Sequence, residues 1–124
     1  MIDASYDAVF ISGPVHATRA RRRDRASLPV TRTIDDTVAL FAALANGMRL
    51  KLLVALARLG PMSAGDLQRV VGGEQSAVSH QLAALRRSRL AQSERRGRQI
   101  VYSLADQHVA HIIEDALDHV DEVG

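Results

Sequence analysis

Residues 63–104 read SAGDLQRVVGGEQSAVSHQLAALRRSRLAQSERRGRQIVYSL, and this stretch decides the fold. Ser63 and Asp66 form a capping box ahead of Leu67, Val70 and Val71, so a short helix starts there. Gly72-Gly73 closes it. A second helix follows over about 75–88, with Val78, Leu82 and Leu85 as a narrow apolar stripe. Its first half otherwise carries Gln75, Ser76, Ser79, His80 and Gln81, all uncharged hydrogen-bonding groups. Two short strands come next, at about 89–94 and 99–104. Ile100, Tyr102 and Leu104 alternate with Val101 and Ser103, and Arg95-Arg96-Gly97-Arg98 forms the hairpin tip.

Two short helices joined by a glycine turn, the second polar on its outside, define a helix-turn-helix. Amides and hydroxyls on the second helix suit base edges in a major groove, and the arginines of the hairpin suit phosphates. A solvated helix face would also be polar, but such faces usually mix acids with bases. Residues 75–93 contain no Asp or Glu, which points to a polyanion. The expected DNA contacts are therefore Gln75, Ser76, Ser79, His80 and Gln81 on the helix, with Arg95, Arg96 and Arg98 on the wing.

Working outward, Thr33 and Asp36 make a capping box ahead of Val38, Phe41, Leu44 and Ala45. Asn46 caps a further helix with Leu50, Leu53, Val54 and Ala57 as its stripe and Leu52, Leu56 and Leu59 on other sides. That helix is apolar nearly all round, so it belongs at the buried centre, and Gly60-Pro61 ends it. Residues 1–30, with Gly13, Pro14, Pro29 and the run ARRRDR, show no periodicity and read as a flexible basic arm. Residues 31–124 read as one DNA-binding and dimerisation domain. The fold class is mostly α with a small β-hairpin wing.

The last helix, from about Asp106 to Val120, carries D-x-H, ten intervening residues, and H-x-x-E: Asp106, His108, His119 and Glu122. These are ligand types that zinc, cobalt and nickel accept. His108 and His119 share one face but stand about 16 Å apart along the axis. Bonds of about 2.0–2.2 Å cannot span that gap, so one chain cannot close the site. Two antiparallel copies can, which predicts a homodimer with paired metal sites.

The 124 residues contain no cysteine, which excludes a disulfide framework and thiolate sensing of soft metals. No apolar run is long enough for a membrane span, and AVFI at 8–11 precedes its arginines, the reverse of a signal peptide, so the chain reads as cytoplasmic. The net charge of +2 hides a polarised distribution: residues 86–98 hold six Arg, and residues 106–124 hold six Asp or Glu with no Lys or Arg. Catalysis is disfavoured, because four ligands between packed helices leave no open coordination position. Ser79 and His80 are adjacent on a helix and do not face each other as nucleophile and base.

The segments EQSAVSHQLAALRRSRL and RRGRQIVYSL, followed by the D-x-H…H-x-x-E helix, resemble the ArsR/SmtB family of winged-helix metalloregulatory repressors over roughly residues 33–122. The last motif resembles that of the zinc-sensing members with a site on the C-terminal helix. The resemblance implies a homodimer that holds double-stranded operator DNA and releases it on binding metal. It also implies that Asp106 and His108 of one protomer join His119 and Glu122 of the other. The family's cysteine site before the recognition helix is absent. Related nickel and cobalt sensors add histidines, for which only His16 and His111 are spare here. Zinc is therefore the expected ion, with cobalt or nickel second. A winged-helix regulator sensing pH through its histidines is a further alternative.

Overall fold

The computed structural model describes residues 27–123, so most of the expected arm, including His16, lies outside the described residues. The chain divides into two compact units between Asp36 and Thr37, and the unit from Thr37 onward holds the core. Five helices and three strands occur among the described residues: α1 (Thr31–Leu44), α2 (Gly47–Leu59), β1 (Met62–Ser63), α3 (Ala64–Val71), α4 (Gln75–Arg87), β2 (Ala91–Arg96), β3 (Gln99–Leu104) and α5 (Gln107–Val123).

Most boundaries follow from local chemistry. The Asn46 side chain accepts from the Arg49 N–H at 2.9 Å and starts α2. Gly60, at φ +88°, closes α2 by donating its N–H to the Leu56 carbonyl. Ser63 accepts from the Asp66 N–H at 3.2 Å, whereas the Asp66 carboxylate turns to Arg69 one turn on. Asp106 caps α5 through the Val109 N–H at 3.1 Å.

Three expectations are corrected. Thr33 does not cap α1, because the helix has already begun at Thr31, with the Ile34 N–H bonded to the Val30 carbonyl at 3.2 Å. Pro29 stands just ahead of the first turn and disfavours helical geometry at residue 28. The ribbon is also not two-stranded. β1 pairs antiparallel with β3 through Met62↔Tyr102 and Ser63↔Val101, so the sheet order is β1-β3-β2. A two-residue strand has no periodicity to read.

β2 starts at Ala91, not at 89, because α4 ends in a Schellman motif that uses those residues. The Leu90 N–H reaches the Leu85 carbonyl at 2.9 Å, and the Arg89 N–H reaches the Arg86 carbonyl at 3.1 Å. Arg89 takes the left-handed position at φ +60° that glycine usually fills.

The core combines Leu52, Leu53, Ala55 and Leu56 of α2, Leu67 of α3, Val78, Leu82 and Leu85 of α4, Leu90, Ala91, and Val109 and Ile113 of α5. α2 is central as expected, but its buried side is not the 50–53–54–57 stripe. Leu50, Val54 and Ala57 are only half-buried, and Leu59 is exposed. A helix apolar nearly all round carries no directional signal, so the elements packed on it, α3, α4, α5 and β3, choose the face.

Candidate nucleic-acid interface and metal-ligating helix

The buried stripe Val78–Leu82–Leu85 turns the other side of α4 outward. Gln75, Ser76, Ser79 and His80 are exposed there, and helical geometry puts Ser76 and His80 opposite the stripe. Gln81 is set back: it is half-buried, and its Oε1 accepts from Arg49 Nη1 at 3.1 Å. The sequence signal for Gln81 was its polarity alone, which does not separate an outward amide from one bonded inside the fold.

In the wing, Arg96↔Gln99 is the last pair, leaving Gly97-Arg98 as a two-residue turn with Gly97 at φ +64°. Glycine at the first turn position fits the hairpin twist that such short loops require. Arg95 and Arg96 belong to β2 and not to the tip, so they face opposite sides of the strand. Arg96 pairs with Glu94 two residues back, at 2.6 Å, on the same face. Its charge is thus partly met within the strand. Arg95 and Arg98 are exposed and make no ion pair among the described residues.

Arg86 and Arg87 extend this basic surface. Both are exposed in the last turn of α4 and border, with Gln92 and Ser93 of β2, an open groove of about 480 Å³. They stood in the sequence only as part of an arginine-rich run. The α4–β2 connection is what brings them beside the strand.

α5 buries Val109 and Ile113 and half-buries Leu117, a stripe with four-residue spacing. Asp106, His108, His119 and Glu122 are all exposed. On an ideal helix His108 and His119 lie within about 20° of each other, yet three turns apart. Among the described residues no three His, Asp or Glu side chains converge on a common point. Asp106 spends Oδ1 on the helix cap, and its other oxygen accepts no hydrogen bond among the described residues. Exposed Val120 and Val123 make an apolar margin beside His119. The donor set is right for a borderline divalent cation, and each chain offers it in two separated halves. His111 is exposed and outside the motif.

A charged bridge ties α5 to the core helix. Arg58 of α2 donates to both Glu114 oxygens, at 3.0 and 2.9 Å. The guanidinium holds the Glu114 carboxyl below its ordinary pKa, and the carboxylate raises that of Arg58.

A winged helix-turn-helix with a polar recognition helix and an arginine-bearing wing is a DNA-binding regulator. The profile of the arsR family of bacterial regulatory proteins matches residues 46–93. Over 104 residues the chain is 42% identical to the HTH-type transcriptional regulator NmtR of Mycobacterium tuberculosis, covering 84% of this chain and 85% of that one. The crystal structure of AntR, an antimony-specific transcriptional repressor, superposes with a TM-score of 0.70 at 37% identity, covering 78% of this chain and 87% of that one. The homodimeric winged helix-turn-helix DNA-binding domain of Mb0332 from Mycobacterium bovis superposes with a TM-score of 0.69 at 27% identity, covering 77% and 91%. The chain belongs to the ArsR/SmtB-type family of winged-helix transcriptional repressors, a metal-responsive family, and is not an enzyme. No single helix among the described residues is long and apolar enough to cross a membrane.

Proposed function

We propose that this protein is a cytoplasmic, zinc-responsive repressor that binds operator DNA as a homodimer and lets go when zinc binds its C-terminal helices. The observation that carries the reading is the exposure of Asp106, His108, His119 and Glu122 on α5, in two halves about 16 Å apart, beside exposed Val120 and Val123. A second copy of α5 completes the donor set, with Asp106 and His108 of one chain joining His119 and Glu122 of the other. Zinc would supply a fixed cross-link between the two helices. Four protein ligands of this type favour tetrahedral zinc over the higher coordination of nickel or cobalt.

On DNA, Gln75, Ser76, Ser79 and His80 face the bases, with Gln81 beside them on the same helix, and Arg95, Arg96 and Arg98 hold the backbone. Two such helices in a dimer read half-sites about one turn or more apart. Zinc stabilises a dimer geometry in which both helices no longer fit both grooves. A coupling of about 1–3 kcal/mol is typical, and it is reciprocal, so operator DNA weakens zinc binding by the same factor. Arg58–Glu114 supports a path for it, since it joins the ligand-bearing helix to α2.

The test is fluorescence anisotropy on operator duplex with and without zinc, for the wild type and His119→Ala. Zinc should weaken the wild type's affinity by about five- to 150-fold and leave the variant unaffected. An equal zinc effect on both would remove the site from α5. Cobalt substitution checks the coordination: an intense tetrahedral spectrum fits zinc, and a weak octahedral one moves the assignment to nickel or cobalt.

A further inference from the structure

One side chain ties three helices together. Arg49, in the first turn of α2, donates from Nε to the Ala43 carbonyl at 2.6 Å and from Nη1 to Gln81 Oε1 at 3.1 Å. Its backbone N–H is meanwhile held by Asn46 Oδ1 at 2.9 Å. The guanidinium therefore joins the last turn of α1 to the middle of α4.

Each end of this bridge has a physical need for it. The Ala43 carbonyl is among the last four of α1, which have no partner within the helix, and a cation there also complements the helix dipole. α1 fully buries none of its own residues, so packing alone holds its end weakly. Gln81, half-buried beside the core stripe, gives its oxygen to Arg49. That bond turns the amide inward, toward Arg49, instead of leaving its oxygen and its NH2 aimed together at a base edge as a paired reading of adenine requires. Arginine reaches the two acceptors from separate nitrogens of one rigid planar fork, whereas the donors of lysine all sit on a single rotatable nitrogen.

We infer that Arg49 is a positioning residue for DNA binding: through Gln81 it fixes the rotation of the recognition helix against the α1–α2 joint. Gln81 is the socket of that bond and not a reader of bases. The inference rests on the DNA-binding reading of α4, and it is independent of the metal site.

The experiment uses full-length protein with a chelator present. Anisotropy is measured on a duplex that the wild type selects from a randomised double-stranded library, and on its single-base-pair variants. Arg49→Met and Gln81→Met should each weaken binding about tenfold, by the same factor on every duplex. The double variant should be no weaker than either single one, and Arg49→Lys should not restore affinity. Additive losses overturn the proposal, as do single variants that bind like the wild type. So does a Gln81→Met protein that loses preference at one base pair while Arg49→Met keeps it. Circular dichroism melts run in parallel. Where Arg49→Met does not fold, Gln81→Met alone decides: a uniform loss supports the socket, and a loss confined to one base pair overturns it. A wild type that retains no duplex from the library sinks the DNA-binding reading and this proposal together.

Discussion

Replacing Arg89 with glycine should stabilise the fold while weakening its hold on DNA. Arg89 sits at φ +60°, in the turn that ends α4 and swings the chain into the wing. A side chain in the left-handed region costs about 1–2 kcal/mol. Glycine removes that cost but loses about 0.5–1 kcal/mol through its greater freedom in the unfolded chain. The net gain is about 0.5–1 kcal/mol, a rise of a few degrees in Tm for a domain of this size. Arg89 is exposed, and the bonds of the turn come from its backbone, so the substitution keeps the Schellman geometry. It also removes one cation from the basic segment, which should flatten the salt dependence of DNA binding by about one counterion. Thermal melts at fixed protein concentration and anisotropy across a salt series measure the two effects. A lower Tm for Arg89→Gly would refute the strain argument.

Three further outcomes follow from the geometry. Gly73 has φ +87°, a backbone state that strains any L side chain, so Gly73→Ala should cost about 1–3 kcal/mol in denaturant unfolding even as the flexible Met48 Cε, 2.9 Å from the new Cβ, moves aside. Arg98→Ala should lower affinity alike across DNA sequences and reduce the salt slope by about 1, because its charge in the wing turn has no ion pair among the described residues; an unchanged slope would take it out of the interface. Glu114→Gln should cause a small loss of stability at neutral pH. Because the folded carboxyl has a lowered pKa, its contribution is complete above the ordinary carboxylate range and fades as pH falls through the folded value. Urea unfolding at pH 7 and in acid should therefore show the variant and the wild type converging at low pH.

The sequence by itself determined the order of the helices and of the wing hairpin from Asn46 onward, because caps and breakers act locally. Asn46, Gly60, Ser63, Gly72 and Gly97 each impose a backbone state on their neighbours, and the Val78–Leu82–Leu85 stripe sets which side of α4 is inside. The separation of His108 from His119 was equally fixed, since helical rise alone keeps them three turns apart. Tertiary structure decided whatever needs a partner distant along the chain. β1 exists only because β3 lies beside it, and the buried side of α2 is chosen by α3, α4, α5 and β3. Arg96 is partly neutralised by the Glu94 that strand geometry puts on its face, and Arg58 finds Glu114 across two helices. Gln81 and Arg49, 32 positions apart, carry no mutual signal in the sequence. Local chemistry is written in neighbouring residues, whereas a hydrogen bond between helices depends on how the whole core has packed.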